Sequence, residues 1–249
     1  MSAELLSRIS WRAFRFVLAL VYDLWRFFRE IPMTSAESKR VARARWLHGC
    51  CQRALRVMHI HGTVEGTLPA RGLIVANHLS YLDIVTLSAA LPCVFVSKAE
   101  VSDWPLFGAF ARHSGTLFLD RARRGAVGSV AAQMREILAE DLPLVIFPEG
   151  TSTNGDTMLP FKSSLFEPVA QLGCPVTAAA ISYSIANGSV REEIHWWGTM
   201  PLLPHLLKVF AKRRIDVTIR FGEARVRTGD RKTIARELRE EVSALRTVP

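Results

Sequence analysis

A histidine and an aspartate stand five residues apart, as His78 and Asp83, in the segment Asn77-His78-Leu79-Ser80-Tyr81-Leu82-Asp83. If Asp83 accepts the proton of one ring nitrogen of His78, the other nitrogen is free to act as a general base. No Ser, Cys or Lys nucleophile stands in a known elbow motif nearby. The base would therefore act on the hydroxyl of an incoming substrate.

The five-residue spacing restricts how these two side chains can meet. Five residues along a helix rotate a side chain by about 500°, which places the two on different faces. They meet only if His78 precedes the helix and Asp83 lies in its first turn, with Ser80 as the N-cap. On spacing alone a second interpretation stays open, in which Ser80 and Asp83 form a capping box and His78 is a turn residue.

A second candidate site is the segment Phe147-Pro148-Glu149-Gly150-Thr151-Ser152. Glu149 could bind substrate hydroxyls, and Gly150 would let the backbone approach a ligand and donate an amide to a developing oxyanion. The alternative is an ordinary Pro-Glu-Gly turn.

Both segments follow short apolar runs, which alternate with longer segments of helical period after residue 62. This texture predicts an α/β fold with a mixed, mostly parallel sheet flanked by helices. Ligand sites in such sheets lie beyond the carboxyl ends of the strands, where both candidate segments stand. We predict strands near Leu73–Ala76, Val94–Val96, Thr116–Leu119, Leu144–Phe147, Val176–Ser182 and Asp216–Phe221. We predict helices near Leu82–Ala90, Pro105–Ser114, Gly125–Ala139, Ser163–Leu172 and Asp230–Leu245.

Together the motifs resemble those of the glycerolipid acyltransferases, the PlsC-like lysophospholipid acyltransferases. The family's NHxxxxD motif is matched by Asn77 through Asp83, and its FPEGT motif by Phe147 through Thr151. A further motif of the family is matched by Lys98, Trp104-Pro105, Gly108 and Gly115 through Arg121, and another by Cys174-Pro175-Val176. The resemblance as a whole covers about residues 60–225.

The resemblance implies that His78 deprotonates the acceptor hydroxyl while Asp83 orients it. The acceptor oxygen then attacks the thioester of acyl-CoA or acyl carrier protein, with no metal or cofactor. Glu149 would hold the acceptor's hydroxyls near Gly150. The other motif positions implied in substrate binding are Asn77, Thr151, and, for a head-group phosphate, Lys98 and Arg121.

The chain departs from the family pattern at Ser152, where phosphatidate-forming members commonly have Arg. The first expected acceptor is 1-acyl-sn-glycerol 3-phosphate, giving phosphatidic acid. Loss of an Arg clamp makes lyso-ornithine lipid or another lysophospholipid the alternative, unless Lys162 supplies the cation. An alternative of another class is a non-catalytic membrane lipid-binding protein.

Residues 1–60 carry eleven Lys and Arg against four Asp and Glu, so they hold most of the net charge of +9. The apolar stretch from Ile9 to Ile31 is interrupted by charges, which favours a helix lying in a membrane interface over a spanning helix. A signal peptide is not expected, since no small-residue cleavage site follows the short apolar core. A basic helix follows from about Ala36 to His59. We predict that residues 1–60 are an amphipathic two-helix element that docks on anionic membrane, and that residues 61–249 are the acyltransferase domain.

The alternative for residues 1–60 is a helical hairpin packed on the domain with a solvated basic face. A nucleic-acid arm fits less well because the aromatic residues do not alternate with the basic ones. We therefore expect a monotopic enzyme on the cytoplasmic face of the inner membrane, with no nucleic-acid partner. The four cysteines lack metal-site spacing and are expected to be reduced.

Overall fold

The central strands of the sheet are short and wholly apolar. In the computed structural model, which describes residues 2–31, 39–104, 107–120 and 126–246, the segments Leu73–Ala76 and Leu144–Ile146 are parallel neighbours and every residue of both is buried. Continuous runs of branched apolar residues suit strands that are covered on both faces.

The described helices are α1 Ala3–Glu30, α2 Lys39–Met58, α3 Leu82–Ala90, α4 Phe107–His113, α5 Ala126–Leu138, α6 Glu167–Leu172, α7 Val190–Glu193, α8 Leu202–Ala211 and α9 Arg231–Leu245. Short 3₁₀ turns lie at Ala99–Asp103 and Ser163–Phe166. The strands are β1 Ile60–Glu65, β2 Leu73–Ala76, β3 Val94–Lys98, β4 Leu117–Leu119, β5 Leu144–Ile146, β6 Pro175–Ser184, β7 Ile215–Phe221 and β8 Arg225–Val226.

The strands form one sheet in the order β1-β7-β6-β2-β5-β3-β4, with β8 beside β6. Pairing is parallel from β6 through β4, antiparallel between β6 and β7, and parallel again between β7 and β1. One face of the sheet packs against α1, α2, α3 and α8, and the other against α5, α6 and α9. The predicted mixed, mostly parallel sheet flanked by helices is confirmed.

Two strands and two helices are absent from the sequence prediction: β1, β8, α7 and α8. Only the first residue of β1 is buried, so this edge strand lacks the alternation that marks a half-buried strand. Strand β8 and helix α7 have two and four residues, too few to show a period. In α8, Pro204 stands inside the first turn and masks the helical pattern.

The two N-terminal helices share the hydrophobic core of the rest of the chain. The ring of Phe27 in α1 lies 5.0 Å from that of Trp46 in α2, and Trp46 stacks on Phe110 of α4 at 5.3 Å. Asp23 of α1 is buried and forms an ion pair with Arg53 of α2. The division at residue 60 stays a prediction, and the structure shows that these helices pack against elements on the far side of it.

Arg12 anchors α1 to the far end of the chain. Arg12 is 5% exposed, and its guanidinium donates to the carbonyl oxygens of Phe210 at 3.0 Å and of Lys212 and Arg213, at the C-terminal end of α8. The last carbonyl groups of a helix have no partner within it, and a cation there also complements the helix dipole.

We expect Arg12→Ala to lower the free energy of unfolding by about 2–3 kcal/mol, because three carbonyl groups lose a charged donor. The matched control is Arg15→Ala on the same helix, since Arg15 is exposed and should change stability by less than about 0.5 kcal/mol. Urea denaturation of both variants measures the difference. Equal stability of the two would show that the Arg12 contacts do not hold α1 in place.

Candidate active site

The two candidate segments lie side by side at the carboxyl edge of the sheet. Strand β2 ends at Ala76 and leads into His78, while β5 ends at Ile146 and leads into Phe147. Because β2 and β5 are parallel neighbours, both loops emerge at the same edge. The ring of Phe147 stacks on the imidazole of His78 with 4.2 Å between centroids.

His78 and Asp83 meet in the geometry that the spacing requires. Nδ1 of His78 lies 2.8 Å from Oδ2 of Asp83, and Asp83 stands in the first turn of α3. The same oxygen accepts the backbone N–H groups of Leu79 at 2.6 Å and Ser80 at 2.9 Å. Since a carboxylate only accepts, Nδ1 carries the proton and Nε2 has its lone pair free.

The Ser80 N-cap expected from the sequence is wrong. Tyr81 occupies the cap position of α3 without a side-chain bond, and the buried Ser80 hydroxyl has no hydrogen-bond partner. The Asp83 carboxylate caps the preceding loop instead. Asp83 therefore makes the histidine contact and only one half of a capping box, because it accepts the Ser80 N–H while the Ser80 hydroxyl caps nothing.

Glu149 connects the two loops. Its Oε1 accepts the backbone N–H of His78 at 2.8 Å and its Oε2 accepts that of Leu159 at 2.8 Å. It is 2% exposed and does not line the cavity that opens beside His78. Burial raises the pKa of the Glu149 carboxyl, and the two backbone donors and His78 oppose that shift. The carboxylate is thus placed to fix the backbone of His78, whereas the sequence analysis expects it to hold substrate.

Asn77 also lies within the scaffold. Its amide donates to the carbonyl oxygen of Ile181 at 3.1 Å and accepts the N–H of the same residue at 2.8 Å. It is 1% exposed, so its side chain continues the β2–β6 pairing beyond Ala76 and is turned away from the cavity wall. The backbone N–H of Gly150 donates to the carbonyl oxygen of Phe147, so this amide is already engaged.

The cavity beside His78 has a volume of about 350 Å³. At the sheet edge it is lined by His78, Lys98, Gly150, Thr151 and Ser152, four of them predicted site residues. Its other walls are mostly apolar and come from α1, α2, α3 and α4, among them Phe16, Leu20, Leu47, Met58, Val85 and Phe107. Arg121, also predicted, lies outside the described residues.

Three aromatic or polar contacts of the site are missed by the sequence analysis. The hydroxyl of Tyr183 donates to Oδ1 of Asp83 at 2.7 Å. Tyr81 donates to Nδ1 of His205 at 3.1 Å, because Nε2 of that histidine faces the carbonyl oxygen of His195. Tyr183 is 100 residues from Asp83 and His205 is 124 residues from Tyr81, so no local spacing reveals these contacts.

Within the described residues, no group of three or more His, Cys, Asp or Glu is arranged to hold a metal ion. The four cysteines are buried and free.

Comparison with known proteins places this geometry in a family. A family model described as Acyltransferase matches residues 59–182. A lyso-ornithine lipid O-acyltransferase of Brucella abortus is 38% identical over 187 residues, covering 70% of each chain. One of Pseudomonas aeruginosa is 34% identical and covers 90% of this chain and 86% of its own. This chain belongs to the acyltransferase family.

Other relatives of the acyltransferase carry a different name. A 1-acyl-sn-glycerol-3-phosphate acyltransferase of Neisseria gonorrhoeae is 30% identical, and the match covers 60% of this chain and 58% of that protein. The crystal structure of the LPA acyltransferase PlsC of Thermotoga maritima aligns over 98% of both chains with a TM-score of 0.63 and 20% identity. It shows that the acyltransferase has the PlsC fold, as the motifs indicate.

For the acyltransferase, Glu149→Gln separates a scaffold role from substrate binding. An amide nitrogen would face one of the two backbone N–H donors, so we expect kcat to fall about tenfold and unfolding free energy by about 1–3 kcal/mol. KM for the acceptor should stay within about twofold. Steady-state kinetics and urea denaturation measure these quantities. A raised KM with unchanged kcat and stability would instead support direct contact with the acceptor.

Proposed function

We propose that this acyltransferase acylates the free hydroxyl of lyso-ornithine lipid, with 1-acyl-sn-glycerol 3-phosphate as the second candidate. The observation that carries this order is Ser152, which lies on the cavity wall directly after the FPEGT motif. A serine at this position cannot clamp a phosphomonoester as a guanidinium does. The names of the relatives from Brucella and Pseudomonas support the same order.

The charges of the cavity also favour an ornithine head group. Among the described residues that line the cavity, Lys98 is the one lysine or arginine. One cation can pair with the carboxylate of an N-acylated ornithine, whose side-chain ammonium leaves the head group without net charge, whereas a phosphomonoester carries about 1.5 to 2 negative charges at neutral pH. Lys98 is also what keeps 1-acyl-sn-glycerol 3-phosphate as a candidate, since a lysine can bind phosphate as a point charge.

In the proposed reaction, Nε2 of His78 takes the proton of the acceptor hydroxyl as its oxygen attacks the thioester carbonyl carbon. The C–O bond forms, the C–S bond breaks, and the proton on Nε2 passes to the departing thiolate. Asp83 stays ionised and stabilises the imidazolium that exists between these two proton transfers. The donor is acyl-CoA or acyl carrier protein.

We assign the apolar part of the cavity to an acyl chain. The walls formed by Phe16 and Leu20 of α1 and by Leu47 and Met58 of α2 offer it little but hydrocarbon. Each buried CH₂ of the chain contributes about 0.8 kcal/mol. Binding of the acyl chain in this cavity would hold the thioester carbonyl carbon of the donor near His78.

The test is acyl transfer from labelled oleoyl-CoA and oleoyl acyl carrier protein to lyso-ornithine lipid and 1-acyl-sn-glycerol 3-phosphate. We expect higher kcat/KM with lyso-ornithine lipid, and a loss of about 10²–10⁴-fold in His78→Ala. Ser152→Arg should shift the ratio of the kcat/KM values for the two acceptors about tenfold toward 1-acyl-sn-glycerol 3-phosphate. The control Ser152→Ala should leave this ratio unchanged.

Higher kcat/KM with the phosphate acceptor in the native protein would overturn the proposed order of acceptors. No transfer to either acceptor from either donor would favour a lipid-binding protein without activity. Transfer that survives in His78→Ala would show that another group is the base.

We further propose that α1 docks this enzyme on an anionic membrane, on the cytoplasmic side where the donors are made. Along α1, Trp11, Phe14, Leu18, Val21, Trp25 and Phe28 recur at steps of three and four residues, and each is 52–63% exposed. Six large exposed apolar residues on one face of a helix mark an interaction surface.

Arginines border this apolar face. Arg15 and Arg29 are exposed, and the guanidinium of Arg29 lies over the ring of Trp25. Cations beside a belt of tryptophan and phenylalanine suit the head-group region of an anionic leaflet. Within the described part of the chain, no helix is both long and apolar enough to cross a membrane.

We expect the triple variant Val21→Ser, Trp25→Ser, Phe28→Ser to bind vesicles containing phosphatidylglycerol at least about tenfold more weakly, because it removes apolar surface that would enter the interface. The matched control replaces three exposed apolar residues of other elements, as Leu68→Ser, Leu172→Ser, Val226→Ser. Co-sedimentation measures both. Point variants are needed because removing α1 would also remove core residues. Equal binding of the two triple variants would refute docking through this face.

A further inference from the structure

The Asp83 carboxylate has a fourth hydrogen-bond donor, which comes from strand β6 in the middle of the sheet. Tyr183 lies near the end of β6, is 8% exposed, and donates its hydroxyl to Oδ1 of Asp83 at 2.7 Å. Two residues earlier on the same strand, Ile181 pairs with the side chain of Asn77. Strand β6 therefore braces both ends of the His78 segment.

The two oxygens of Asp83 accept hydrogen bonds from different donors. Oδ2 accepts His78 Nδ1–H and two backbone N–H groups, while Oδ1 accepts the hydroxyl of Tyr183. Asp83 is wholly buried, so without Tyr183 this oxygen of an ionised carboxylate would lose its donor in an environment that excludes water. Burial, and then the negative charge of Asp83, raise the pKa of the Tyr183 hydroxyl well above its usual range, so it remains a donor.

We propose that Tyr183 is a positioning residue for the general base, an inference that rests on the proposed function of His78. The torsion that orients a carboxylate plane is broad and has no strong intrinsic preference. Donors on both oxygens fix that plane. With Oδ1 held by Tyr183, Oδ2 stays aligned with Nδ1 of His78 and keeps Nε2 as the unprotonated nitrogen.

Tyr183 acts through Asp83 and not on the substrate, because it does not line the cavity. Its removal should therefore impair the chemical step and leave substrate binding intact. Thr86, one turn further along α3, donates to the backbone carbonyl oxygen of Asp83, and its side chain also lies within hydrogen-bond reach of the Tyr183 hydroxyl.

The experiment measures Tyr183→Phe in the native protein and in the Asp83→Asn background. In the native protein we expect kcat to fall about tenfold, as for loss of a hydrogen bond to a charged group, with KM for donor and acceptor unchanged. In the Asp83→Asn background the same substitution should change kcat by less than about twofold, since residues that act as one unit are not additive. A purely structural defect would lower kcat equally in both backgrounds and would overturn the proposal.

The matched control is Tyr81→Phe, which removes another buried tyrosine hydroxyl from the same site. Its partner is His205, so whatever effect it has should be equal in the native and Asp83→Asn backgrounds. Coupling of Tyr81 to Asp83 as strong as that of Tyr183 would overturn the assignment. Thermal unfolding shows whether each variant is folded under assay conditions.

A readout that does not need activity is the NMR resonance of the His78 Nδ1 proton. In Tyr183→Phe we expect this resonance to shift or broaden, while in Tyr81→Phe it should stay where it is. An unchanged resonance in Tyr183→Phe contradicts the proposal. The base assignment fails separately, if His78→Ala keeps its activity. If His78→Ala is inactive and Tyr183→Phe is fully active, only the role of Tyr183 is wrong.

Discussion

A carboxylate buried without water has to find all its hydrogen-bond donors in the protein, and the site is arranged around this requirement for Asp83. Three of its donors, one from the side chain of His78 and two from backbone N–H groups, belong to the loop after β2, and the fourth belongs to β6. These donors can converge only if β2 and β6 are neighbours in register. The sheet order that makes β2 and β6 neighbours is thus a condition for an oriented imidazole. Electrostatic preorganisation of this kind would let His78 act as the proposed base without rearranging the site during the reaction.

Local pattern was enough to predict the part of this arrangement that lies within one segment. His78 and Asp83 are five residues apart, and simple helix geometry limited how they could meet. The strands that carry them were predicted because continuous apolar runs identify buried parallel strands. Local pattern cannot predict hydrogen-bond partners that are distant in the sequence. Tyr183 is a tyrosine on an apolar strand like many others, and its role depends on register between strands, which no spacing encodes.

The motif residues differ in what they contact, although they look alike in the sequence. Asn77 and Glu149 are polar residues next to His78, and the resemblance implies that they bind substrate. In the structure both direct their hydrogen bonds to the backbone of the site. Lys98 and Ser152 do line the cavity. The motif identifies residues that belong to the site. The structure is needed to tell which of them line the cavity and which are buried and hold the loops in place.

Helix α1 has two apolar faces, and both are used if it docks as proposed. Phe16, Ala19 and Leu20 form part of the cavity wall, while Val21 and Trp25 on the opposite side are exposed. The thickness of one helix, about 10 Å, would then separate the bilayer from the acyl chain. A lipid could pass between them with little hydrocarbon in water, sparing a cost of about 0.8 kcal/mol per CH₂. Turnover of such an enzyme follows the number of lipids per area of membrane, and dilution within the bilayer slows it even at constant bulk concentration.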